Sequence, residues 1–90
     1  MGKSYVGDDL EITASMLVDV SAATVRRFEV TWGDGAITNH SADLVDTTKY
    51  KAVIKLTKPK TCRIQPYALF GDGREVRGET YSMEIYNRFD

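Results

Sequence analysis

The chain has 90 residues and one cysteine, Cys62, enough for one small domain with no internal disulfide. Twelve Lys and Arg against thirteen Asp and Glu leave a net charge of −1, which argues against a dedicated nucleic-acid binder built on basic excess. Hydrophobic residues at 42% with 28% charged describe a globular chain, and no apolar run approaches the ~20 residues that cross a bilayer.

Residues 1–9, MGKSYVGDD, hold neither the apolar core nor the cleavage site of a secretory signal. Val6 stands where a myristoylation pattern needs Ser or Thr. With the lone thiol, these features fit folding in a reducing cytoplasm. Residues 1–9 read as a polar N-terminal arm, 10–87 as the domain and 88–90 as a tail.

Alternation with period two runs through the domain. Leu10, Ile12, Ala14, Met16, Val18 and Val20 alternate with polar residues except at Leu17, predicting one long strand over 10–20. After a connection at 21–24, Phe28, Val30 and Trp32 continue the pattern until Gly33-Asp34-Gly35 turns the chain. Residues 36–38 read as a short returning strand, and 39–48 as a polar loop, the most mobile part, with at best a short edge segment. Tyr50, Ala52, Ile54 and Leu56 then alternate with Lys49, Lys51, Val53 and Lys55, and the lysines suggest an exposed or edge strand. Residues 58–61 turn the chain. Cys62, Ile64, Pro66, Ala68 and Phe70 face inward in the next strand, and Pro66, lacking an N–H, marks a bulge or an edge-facing position. A second Gly-Asp-Gly turn at 71–73 leads to a return at Val76 and a last strand with Tyr81, Met83 and Ile85 inward.

Six or seven short strands without a helix predict an all-β fold, a sandwich in preference to a barrel. Leu56, Pro59, Thr61 and Ile64, followed by residues 66–70 and a Gly-Asp-Gly turn, resemble fibronectin type III and related immunoglobulin-like domains, with Cys62 where those carry an aromatic. FEVTWGDG at 28–35 is similar to a shortened form of the Gly-Asp-Gly element of PKD-type sandwiches. The resemblance covers residues 28–85 and implies an immunoglobulin-like sandwich of about seven antiparallel strands. By fold-level analogy it also implies a setting, since such domains occur in tailed-phage virions as capsid decorations, tail appendages or adhesion modules assembled in the host cytoplasm.

Little in the sequence promises chemistry. Asp34 and Asp72 could join Asp8, Asp9, Asp43 or Asp46 around calcium if both turns lay at one end of the sandwich, but the favoured reading is structural turns. His40 with Ser41 and Asp43 does not make a triad, and His40 reads as an exposed loop residue. Neither turn cradles phosphate. The expectation is therefore no enzyme, no metal and no cofactor. Lysines 49, 51, 55, 58 and 60 with Arg63, near Tyr50 and Tyr67, raise a single-strand-binding reading that is set aside for a solvated face.

Phe28, Trp32, Tyr50 and Phe70 are expected in the core, Trp32 against Ile54, Ile64 and Met16. Tyr67, Leu69, Val53 and Leu17 have outward parity and, with Tyr5, are the candidate partner-binding residues. The expected function is a non-catalytic protein-interaction module, in particular a virion accessory protein on a capsid or other particle surface. Its partners are expected to be proteins, not nucleic acid or membrane, with oligomerisation on the particle an option. The alternatives are a glycan or receptor recognition module, which an exposed Trp32 would favour, and an enzyme or inhibitor acting through residues 39–48.

Overall fold

The computed structural model describes residues 3–88. They contain no helix and form nine strands: β1 (Ser4–Tyr5), β2 (Asp9–Ser15), β3 (Val25–Thr31), β4 (Ile37–Ser41), β5 (Asp43–Asp46), β6 (Lys49–Lys55), β7 (Lys60–Leu69), β8 (Glu75–Arg77) and β9 (Tyr81–Tyr86). The larger sheet has the order β1-β9-β7-β3-β4, with β8 also on β7, and the smaller has the order β2-β6-β5. All pairings are antiparallel except β1 with β9. One buried cluster takes Phe28, Val30, Cys62 and Ile64 from the larger sheet and Ala14, Tyr50, Ala52 and Ile54 from the smaller, an arrangement compatible with a β-sandwich.

Alternation sorts the core as expected. Phe28, Trp32, Tyr50 and Phe70 are all buried, and Phe28 stacks on Tyr50 with ring centroids 5.2 Å apart. The two Gly-Asp-Gly turns are built alike. In the first, the Gly35 N–H donates to the Trp32 carbonyl and the Trp32 N–H to the Ala36 carbonyl; in the second, Gly73, Phe70 and Arg74 repeat both bonds. Gly35 and Gly73 have φ of 91° and 89°, which glycine alone adopts without a Cβ penalty.

Several expected boundaries shift. The strand predicted over 10–20 ends at Ser15; the Met16 N–H still donates to the Thr48 carbonyl, residues 17–19 turn out to solvent, and Val20 returns to the core with its N–H on the Thr47 carbonyl. Residues 39–48, expected as a long loop, instead complete β4 and form β5. Lysine-rich β6 is the centre of its sheet, not an edge. Its lysines face solvent because the other side of the same strand holds the core. The expected arm is tied in from Ser4 onward: β1 pairs with β9, and the Gly7 N–H donates to the Leu56 carbonyl. Met1, Gly2, Phe89 and Asp90, parts of the expected arm and tail, lie outside the described residues.

Pro66 does mark a bulge. It sits opposite Gly78 on the register of β8, yet β9 pairs with β7 one residue out of that register, so residues 78–80 insert one extra residue in the edge. The Gly78 N–H donates to the Pro66 carbonyl at 3.1 Å, and Gln65 Nε2 donates to the Gly78 carbonyl, taking the place of the N–H that proline lacks. A Cβ on Gly78 would lie 2.7 Å from the Pro66 ring, so the break closes tightly only around glycine.

Candidate functional site

The break at residues 78–80 and the early end of β2 leave one side of the sandwich open. Between these two edges runs a groove of about 880 Å³ whose walls include Ile12, Met16, Leu17, Val76 and Tyr81, with Phe28, Ile64 and Pro66 among the core residues that also line it. Its volume falls in the ~300–1,000 Å³ range of binding clefts. Tyr81 has the inward parity of Ile64, its ladder partner, yet lines the groove and remains 52% exposed. Leu17, just past the end of β2, is fully exposed, and Val18 beside it is partly so. A fully solvated leucine beside an apolar cleft gives up the burial energy its side chain can yield, roughly 1.5–3 kcal/mol. Leu17, Val18 and Tyr81 thus leave apolar side chains exposed around the groove.

The five residues expected to form a partner surface are not brought together. Tyr67 is 3% exposed. It lies on the outer face of the larger sheet, clamped between the guanidinium groups of Arg27 and Arg77, 4.2 and 4.7 Å from its ring centroid. Its hydroxyl donates to Glu75 at 2.6 Å, which pushes the phenol pKa up, while Glu29 binds both Arg27 and Arg77. Leu69 shares that face and is half-buried. Tyr5 stands by Tyr86 at the far end of the sheet, Val53 is exposed on the smaller sheet, and Leu17 borders the groove. Parity gave the facing of Tyr67 correctly, but not the two arginines that cover it.

Other expectations resolve in the same way. The turns at Asp34 and Asp72 follow β3 and β7, which are antiparallel, so they lie at opposite ends and cannot share a cation. Asp34 accepts from the Ala36 N–H and from Lys58 at 2.6 Å, and the Lys58 bond holds its carboxyl below the usual range. Asp72 accepts from the Arg74 N–H. Among the described residues no group of three metal-ligating side chains converges. Cys62 is buried, and burial raises its thiol pKa.

His40 is on β4 and half-buried rather than in an exposed loop. The Trp32 indole N–H donates to Thr38 Oγ1 at 2.9 Å, and Thr38 Oγ1 lies 2.8 Å from His40 Nε2. Burial lowers the His40 pKa. The lysines of β6 face acids or neutral residues across the ladder: Lys55 opposes Asp9, with which it forms a 3.0 Å ion pair, Lys51 opposes Asp43 and Lys49 opposes Asp46.

A shallow polar depression of about 400 Å³ on the larger sheet, lined by Glu29, Thr31, Ile37, Arg63, Gln65 and Thr80, has both charge signs and no exposed aromatic ring. Sequence reasoning missed the groove because Leu17 and Tyr81 are 64 positions apart and only the sheet edges bring them together. The signal available was Leu17 breaking the alternation. No protein-family model, curated protein or solved structure matches the chain.

Proposed function

We propose that this chain is a non-catalytic protein-interaction module with an immunoglobulin-like sandwich. In the form suggested by fold-level analogy with the immunoglobulin-like domains of phage virions, it decorates a capsid or other particle surface. The sheet orders β1-β9-β7-β3-β4 and β2-β6-β5, with β1 parallel to β9, support the immunoglobulin-like reading. The observation that carries the interaction reading is the open groove flanked by Leu17, Val18 and Tyr81. Trp32 is 3% exposed, which removes the stacking platform that a glycan-recognition module would draw on first.

The test is fractionation of the native source on a density gradient, with copy number by quantitative mass spectrometry. Many copies per particle are expected for a surface component, and absence from particles overturns the particle assignment. Recombinant chain carrying Leu17→Asp is expected to fold normally and to lose particle association. Unchanged association of that variant overturns the groove as the contact surface.

A further inference from the structure

The wall of the groove formed by β2 is an open hydrogen-bonding edge. Among the described residues β2 pairs only with β6, and the bond from the Met16 N–H to the Thr48 carbonyl fixes which backbone groups turn that way. In an antiparallel ladder successive residues point their N–H and C=O to opposite sides. Leu10, Ile12 and Ala14 therefore bond to β6, and Asp9, Glu11, Thr13 and Ser15 present theirs to the open side. Natural edges are usually guarded by lysine, proline or a bulge. β2, with sequence DLEITAS and an unbroken register, has no lysine, proline or bulge, and its only charges are the exposed carboxylates of Asp9 and Glu11.

We infer that this edge pairs with β2 of a second copy of the chain, antiparallel about a two-fold axis at Ile12. The inference rests on the groove being a protein contact and names its occupant. Ile12 is the midpoint of the seven-residue strand, so this register overlaps all of it. Ile12 then meets Ile12, Leu10 meets Ala14, Glu11 meets Thr13 and Asp9 meets Ser15, with no like charges directly opposed. Centring on Glu11 would set that carboxylate against itself, and centring on Thr13 would run Asp9 past the end of the strand to Leu17.

Charge complementarity extends across the seam. Ser15 lies opposite Lys49 and Asp9 opposite Lys55 within each sheet. The joined sheet would read Lys49, Ser15, then Asp9 and Lys55 of the second copy, so each Asp9 keeps its own Lys55 beside it and has Lys49 of the other copy two strands away, beyond Ser15. On the inner face, half-buried Leu10 and Ile12 of the second copy would extend over the groove toward Val76 and Tyr81. The smaller sheets become one six-stranded sheet, a closed isologous dimer that does not propagate.

Sedimentation equilibrium of the full chain tests this, with 10.1 kDa expected for a monomer and twice that for the dimer. Thr13→Pro removes only an N–H that faces the open edge, so it leaves the β6 ladder intact. The wild type is expected to dimerise and Thr13→Pro to remain monomeric with an unchanged circular dichroism spectrum. Thr13→Glu, which sets a second carboxylate against Glu11 of the second copy, is expected to weaken the dimer at least about tenfold. It decides the matter if the proline variant fails to fold.

A wild type that stays monomeric up to about 1 mM overturns the inference, as does a dimer that the folded Thr13 variants leave undiminished. If the second copy fails while Leu17→Asp still strips the chain from particles, the groove remains a protein contact with a different occupant. If both fail, the interaction reading falls with it.

Discussion

The hydroxyl of Tyr50 on β6 donates to the backbone carbonyl of Tyr67 on β7 at 3.0 Å, joining the two sheets through the core. Tyr67 and Arg27 face each other on the ladder between β7 and β3, and the Tyr50 hydroxyl also lies 3.4 Å from the Arg27 carbonyl. A fully buried ring with a satisfied polar tip thus stacks on Phe28 and fixes the spacing of the sheets beneath the Tyr67 clamp.

Tyr50→Phe keeps the stacked ring and removes one buried hydrogen bond, so it is expected to cost about 1 kcal/mol in urea denaturation. The variant also reports on ionisation. Burial pushes the Tyr50 pKa up to about 12, against an ordinary value of 10.0. Between those values the unfolded chain has lost the proton that the folded chain retains. The contribution of Tyr50 is therefore complete below pH 10 and lost as pH rises toward 12. The wild type is expected to lose its advantage over Tyr50→Phe across that interval, and a constant difference would refute the assignment.

His40 gives the opposite dependence. Its folded pKa lies below the ordinary 6.5 because burial disfavours the cation. As pH falls below 6.5 the unfolded chain takes up the proton first, so stability is expected to decline on acidification and to level off below the folded pKa. His40→Gln should lack this component in urea midpoints measured from pH 7.5 to pH 5. Trp32 emission should follow the same titration in the wild type, because Thr38 links the indole to the imidazole.

Gln65 stands in for the missing N–H of Pro66 at the edge break. Gln65→Ala is expected to cost about 1 kcal/mol and to speed amide exchange over residues 78–81. Pro66→Ala restores a backbone donor facing Gly78, so in the Gln65→Ala background it should recover part of the loss. A double-mutant cycle with no coupling would show that the two groups do not share that acceptor.

Lys60 begins β7 with φ of 79°, the one non-glycine residue at positive φ among those described. An L-residue with a Cβ is disfavoured there by roughly 1 kcal/mol. Lys60→Gly is therefore expected to stabilise the fold by up to about 1 kcal/mol, less the added entropy of the unfolded chain. Thermal unfolding of the two proteins measures the sign.

The sequence by itself determined which residues face inward, because period-two alternation is a local consequence of strand geometry. Phe28, Trp32, Tyr50, Cys62 and Ile64 could be assigned to the core from their neighbours alone, and Pro66 announced its bulge by having no N–H. Only the tertiary structure decided what each strand lies beside. Lysine on β6 has the same pattern whether that strand is central or peripheral, so its place between β2 and β5 was not legible. The two Gly-Asp-Gly turns look interchangeable until the antiparallel pairing of β3 with β7 sends them to opposite ends. Tyr67 has the parity of an exposed residue and is buried by Arg27 and Arg77, contributed by two other strands. The open groove likewise exists because two edges separated by most of the chain lie opposite each other. Facing is set by adjacent residues, whereas burial at a surface and exposure at an edge depend on partners that alternation does not encode.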